Sequence, residues 1–226
     1  FLHQRLDMRA QRRRIGRVVK LAMAVALEAT SQAGEDPAGL ASVFSSSGGD
    51  GHNCHALCQA LSLAGRVVSP TRFANSVHNA AAGYWSLGTG AMTESNVLCA
   101  FDASFCAGLL AAMTQVAVDQ LPVLLVAYDS EYPQPLHAKR PIPDAFGVAV
   151  VLTPLRRESS LAKLDAGLSS LEFDRFADPD LDAVRSAFPA ARSMPLLRLL
   201  AGTAGGTAVL EVLDVSPVEV QVEPCA

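Results

Sequence analysis

A chain of 226 residues, half of them hydrophobic, can bury one large core or two small ones. No run reaches the roughly 20 apolar residues that a membrane span requires, because the best stretch, 21–27, is bracketed by Lys20 and Glu28, so the chain reads as soluble. The formal charge of −4 is unevenly spread: residues 1–20 carry seven cations against Asp7 alone, which leaves eleven cations and twenty-one acids for the other 206 residues, a basic edge on an acidic body.

In chain order, residues 9–33 predict a helix, since Val18, Leu21, Ala22, Val25, Ala26 and Ala29 recur at helical spacing and Gly34 stops it. A short strand over 41–46 runs into the glycine-rich turn 45–52, SSSGGDGH, which opens a second helix over 52–64. Residues 65–70 form a loop or short strand, and Pro70 sets an extended turn. A third helix over 75–86 is small and apolar, with Ala80, Ala81, Ala82 and Gly83 in succession.

The centre of the chain is a strand over 96–100, a helix over 103–118 and an apolar strand over 121–128. Asp102 and Ser104 are placed to cap the helix. Only Thr114, Gln115 and Asp119 suit water, so the helix must be covered on more than one side. Beyond it, four prolines make 131–144 an irregular excursion, and 146–153 returns as a strand. The charged stretch 155–180 reads as a surface insertion or edge. Short helices over 181–188 and 194–201 precede a closing hairpin of 207–215 and 218–222.

The five cysteines are odd in number and, apart from Cys225, lie in apolar or helical contexts, which points to reduced thiols in the cytoplasm. No secretory signal is visible, but a chain that opens on Phe1 makes that weak ground. The turn 45–52 could hold a phosphate, yet it lacks the lysine ending of a P-loop and the GxGxxG spacing, so a tight structural turn is the plainer reading. His52, Cys54, His55 and Cys58 invite a zinc site, but a fourth ligand is hard to find, and no metal or cofactor is expected. His78 beside small residues reads as a hydrogen-bonded core group. Arg12, Arg13 and Arg14 suit a solvated helix face, or a docking patch for an acidic partner, better than nucleic acid, for no aromatic platform or basic fold motif accompanies them.

The order of these pieces carries a resemblance. SSSGGDGHNCHALC, then SPTRFANSVHNAAAGYWSL, then SNVLCAFDASFCAGLLAA, LPVLLVAYDSEYP and DAFGVAVVLTP resemble the N-terminal half of β-ketoacyl synthases in the thiolase-like superfamily. They are similar above all to the short chain-length-factor-like proteins of aryl polyene and related pigment synthesis. The resemblance covers 9–152, with weaker similarity in the tail, so one unit over 1–226 is expected with 153–226 as a divergent extension. It implies an α/β fold of the thiolase-like half, layered, with a mixed sheet and buried central helices.

The resemblance also implies where chemistry should sit. The family's nucleophilic cysteine begins the central helix, and an ungapped placement sets Ala103 there, with Cys99 four residues before and Cys106 three after. The second-half histidines of a full synthase have no counterpart, since His52, His55, His78 and His137 all lie in the first-half match. The expected role is therefore a non-catalytic subunit pairing with a full-length β-ketoacyl synthase, or with itself, in polyketide, aryl polyene or fatty-acid-like synthesis. Phe73, Asn75, Val77, His78, Tyr84 and Trp85 are the candidates for interface or acyl tunnel. One alternative is an active acyl-transfer or decarboxylating relative using Cys106 or Cys99, a thiol whose pKa the helix start would depress. Another is a module that binds acyl carrier protein, an acidic partner, through Arg12–Arg14. No nucleic-acid or membrane partner is expected.

Overall fold

A computed structural model describes residues 15–212 and 217–225. The arginines at 12–14 and most of the basic edge therefore lie outside the described residues. Helix α1 (Arg17–Ala33) buries Val18, Ala22, Ala26 and Thr30, a stripe at every fourth residue, and ends where Gly34 turns left-handed at φ 71°. Strand β1 (Ala41–Ser45) follows. Helix α2 (Gly51–Ser62) is capped by Asp50, whose side chain accepts from Asn53 N, and the short α3 (Pro70–Ala74) by Ser69.

Helix α4 (Ala80–Thr89) starts five residues later than expected. Asn75 instead ends α3 and Asn79 precedes α4, because amide side chains compete with helix-interior hydrogen bonds and favour helix ends. Strand β2 (Ser95–Leu98), helix α5 (Ser104–Asp119) and strand β3 (Val123–Asp129) form the central unit. Strand β4 (Phe146–Leu152) comes after the proline-rich excursion.

These four strands make one mixed sheet in the order β2-β1-β3-β4, with β1 parallel to β2 and β3, and β4 antiparallel to β3. Every residue of β3 is buried, as an unbroken apolar run between two covered faces requires. Leu124, Val126 and Tyr128 face α1 and α4 in a cluster with Phe44 and Trp85, while Val123, Leu125 and Ala127 face α5.

The other side of α5 is covered by the tail. Strands β5 (Ala162–Leu168), β6 (Gly206–Leu210) and β7 (Val218–Pro224) form an antiparallel sheet in the order β5-β7-β6. Ala208, Leu210, Val218, Val220 and Val222 share a core with Leu109, Ala112 and Val116 of α5. Helix α6 (Pro179–Ala187), a 3-10 turn at Ala190–Ser193 and helix α7 (Met194–Leu200) connect the strands, with Leu196 in that core. The second layer that the apolar helix demands thus comes from the same chain. Of the two readings of 155–180, an insertion or an edge, the edge is the one found: β5 is an edge strand of the antiparallel sheet, with Leu164 and Ala166 partly covered and Lys163, Asp165, Gly167 and Leu168 exposed.

The helical stretch Phe101–Asp119 is long and apolar enough by composition to cross a membrane, contrary to the expectation that no run would be. Here it is the layer between two sheets. It packs tightly on the mixed sheet at Gly108, where an added Cβ would stand 2.9 Å from both Leu125 Cδ1 and Ser45 Cβ. Gly108→Ala should therefore cost about 1–3 kcal/mol by overpacking. Gly83→Ala, on a helix position with nothing within 4 Å, should leave stability unchanged or raise it by up to about 1 kcal/mol. Chemical denaturation of the two variants checks the contrast.

Candidate functional site

Strand β2 and helix α5 are joined by a tight turn at Cys99–Ser104. Ala100 N donates to Ser104 Oγ at 3.1 Å, and that hydroxyl donates to the Phe101 carbonyl at 2.7 Å. The backbone passes through φ 50° at Phe101, a left-handed conformation uncommon for an aromatic residue. Phe101 faces outward, half-exposed, whereas Ala103 is buried at 4% exposure. No thiol occupies Phe101, Asp102 or Ala103.

The two flanking cysteines differ. Cys106 lies in the core at 2% exposure, and burial pushes its thiol up to about 12. The expected depression by the helix start is overturned, because desolvation of a thiolate in an apolar core outweighs any helix dipole. Cys99 is exposed, with its thiol donating to the Ser47 carbonyl at 3.3 Å.

Two carboxylates that sequence reasoning did not select organise this end of the molecule. Asp129 closes β3 and is 2% exposed. Its Oδ1 accepts from Ser47 N at 2.8 Å and Ser47 Oγ at 2.6 Å, and its Oδ2 from Ala190 N at 3.0 Å. Burial raises its pKa to about 6 despite those bonds and the Arg140 charge, which pull the other way. Asp102 accepts from Arg140 Nη2 at 2.7 Å and Arg192 Nη2 at 3.1 Å. The Arg140 guanidinium stacks on Phe101, 3.6 Å from the ring centroid. Arg192 also pairs with Glu211, which takes Arg185 at 3.3 Å. A final Asp on an apolar strand was the one available signal for Asp129. Arg140 and Arg192 gave none, being 38 and 90 residues from their partner.

The glycine-rich turn is occupied by protein. Gly48 and Gly51 lie under the Tyr132 ring, and Ser47 N, Gly49 N and Asn53 N already donate to Asp129, Ser46 Oγ and Asp50. Among the described residues no three His, Cys, Asp or Glu side chains come together as a metal site. His52 stands 3.6 Å from Glu131, His78 Nε2 lies 3.1 Å from the Ser46 carbonyl, and His137 sits in a separate 3-10 turn at Leu136–Ala138.

The six interface or tunnel candidates separate into two groups. Phe73 and Val77 are exposed, at 68% and 52%. Trp85 is not at a surface: it is fully buried against Phe44, ring centroids 6.4 Å apart, because α4 turns that face onto the sheet. Asn75 is buried and accepts from the Tyr84 hydroxyl at 2.8 Å, which fixes the corner between α3 and α4. Phe73 lines an apolar groove of about 590 Å³ with Cys54, Leu57, Cys58, Leu61 and Val68. A more polar cleft of about 430 Å³, with Arg17, Asp50, His52, Arg72 and Glu131 in its walls, lies nearby.

The Asp129 environment sets a pH dependence. Its folded pKa is raised to about 6 from 3.8, so the native state holds this proton more tightly than the unfolded chain. The resulting stabilisation is complete below 3.8 and lost as pH rises through 6. Stability should therefore increase from pH 7 to pH 5, by on the order of 1–2 kcal/mol. Denaturation midpoints at the two pH values should show the rise in wild type and lose it in Asp129→Asn.

The β-ketoacyl synthase N-terminal domain model matches residues 3–178. No curated protein matches the chain. A ketosynthase (ApeO) in complex with its chain length factor (ApeC) from Xenorhabdus doucetiae is similar in fold, with TM-score 0.67 and 23% identity, covering 92% of this chain and 79% of that one. The ishigamide ketosynthase/chain length factor has TM-score 0.53 and 14% identity over 83% of this chain, which spans 55% of it. A 3-oxoacyl-(acyl carrier protein) synthase III from Pseudomonas aeruginosa PAO1 has TM-score 0.51 and 16% identity over 92% of this chain and 84% of that one. With the strand, turn and buried helix in place, and more than half of the chain matched, this protein belongs to the β-ketoacyl synthase N-terminal domain family and has a thiolase-like fold.

Proposed function

We propose that this chain is a non-catalytic, chain-length-factor-type subunit that pairs with a full-length β-ketoacyl synthase in polyketide, aryl polyene or fatty-acid-like synthesis in the cytoplasm. The observation that carries the reading is the turn before α5. Condensation needs an acylated thiol together with groups that stabilise the carbanion and oxyanion. Phe101, Asp102 and Ala103 offer no thiol, and the Cys106 sulfur is buried and protonated at neutral pH.

Pairing is supported by the rim of the molecule. Strand β2 is at the edge of its sheet, and an edge carries backbone donors and acceptors open to a second chain. Phe73, Val77, Leu87 and Met92 are exposed on the segments leading to it. In this reading Phe73 and Val77 meet the partner or its acyl chain, and Asn75, His78 and Tyr84 hold the corner that presents them. The extent is one unit over 1–226, with 153–226 covering α5. Arg12–Arg14 dock an acidic acyl carrier protein.

A second reading rests on Cys99, the exposed thiol at the end of β2: acyl transfer by this chain itself. Incubation with an acyl thioester or with cerulenin followed by mass spectrometry separates the two. The subunit reading expects no rapid single-site labelling, and fast acylation of Cys99 would replace it with the enzymatic one. Co-expression with a neighbouring synthase should yield a heterodimer on size exclusion, whereas two separately migrating monomers would remove the pairing. Carrier binding should weaken with salt and be lost when Arg12–Arg14 are reversed to Glu.

A further inference from the structure

In open α/β sheets, ligand sites lie outside the carboxyl ends of the parallel strands. Here that edge is formed by the ends of β1 and β3 and the start of α5, and one segment of the tail meets two of them. Ala190 N, in the 3-10 turn Ala190–Ser193, donates to Asp129 at the end of β3. Two residues on, Arg192 Nη2 donates to Asp102 at the start of α5. Ala190, Ala191 and Ser193 are at most 1% exposed.

Each fastening also reaches further. Asp129 holds Ser47 by backbone and hydroxyl, which ties the glycine-rich turn after β1 to the same point. Asp102 holds Arg140, which stacks on Phe101. Arg192 continues to Glu211, and Arg185 joins Glu211 to Asp182 at 2.7 Å. Apolar packing alone would not need this seam, because burying a carboxylate or an Arg–carboxylate pair is costly unless its geometry is fully used. Two of the ion pairs meet at Asp102, and that with Arg192 joins segments 90 residues apart.

We propose that Ala190–Ser193 is a built-in strap, fastened by Asp102 and Asp129, that shuts the carboxyl end of the parallel strands against acyl ligands. The proposal deepens the reading of a silent subunit and rests on it: Ala103, which the resemblance sets at the family's nucleophile position, is buried next to Asp102, the residue that holds the tail through Arg192. The strap opens locally when the Asp102–Arg192 link is cut, leaving the sheet intact.

The test uses the full chain without a partner, so a failure to pair with a synthase does not affect it. Arg192→Gln, which also loses the Glu211 pair, and Asp102→Asn, which also loses the Arg140 pair, share only the cut Asp102–Arg192 link. Each should raise hydrogen exchange in 190–193 at least about tenfold, the least effect expected of one lost charge-assisted hydrogen bond. Exchange in β3 and α1 should stay at the wild-type rate. Both variants should also bind cis-parinaric acid, a fluorescent fatty acid, at least about tenfold more tightly than wild type. Lys163→Gln, which removes an exposed pair with Glu223, should change neither readout. Unchanged exchange in 190–193, a rise shared equally with β3 and α1, or unaltered fatty-acid binding would each overturn the strap.

Discussion

The constraint on which the structure depends is the burial of α5 on two sides. A helix of Phe105, Cys106, Leu109, Ala112 and Val116 with Gly108 on its inner face lies close against β1 and β3 on one side. Its opposite side cannot face water without exposing the remaining apolar surface. The small sheet of β5, β7 and β6 meets that demand. The layer order of helices, mixed sheet, α5 and second sheet follows from one segment having no polar face.

Where apolar layers meet at the carboxyl end of the strands, the backbone leaves polar groups that must find partners. Asp129 and Asp102 collect them. Asp129 joins β3, the serine turn after β1 and the tail, while Asp102 joins α5, the excursion carrying Arg140 and the tail through Arg192. The raised pKa of Asp129 reflects the same compromise: three donors offset part of the desolvation without cancelling it. The end of the sheet where α/β proteins commonly place chemistry is here an internal seam.

That arrangement bears on function through reactivity. A thiol can act at neutral pH when it is exposed and its thiolate is favoured. Cys106 meets neither condition, and the turn preceding its helix carries an aromatic ring under a guanidinium. Near an edge strand the molecule presents Phe73, Val77, Leu87 and Met92 outward. An apolar rim beside an edge strand is what the proposed role of shaping a partner's site requires.

Much of the core was legible in the sequence because it is local. Apolar periodicity placed α1 and its end at Ala33, although the described helix begins at Arg17 rather than at 9. A nearly continuous apolar stretch placed α5, the unbroken run Leu121–Tyr128 located β3 to within two residues at either end, and the mixed apolar stretch after Asp144 located β4. The quoted motifs were enough to identify the fold. Tertiary structure alone decided that β5 pairs with β7, that Trp85 points inward, that the Cys106 thiol is buried, and that Arg140 and Arg192 meet at Asp102. The reason is range: helix and strand periods report which face of a segment is apolar, whereas the desolvation of a thiol or the partner of an arginine depends on groups brought together from distant parts of the chain.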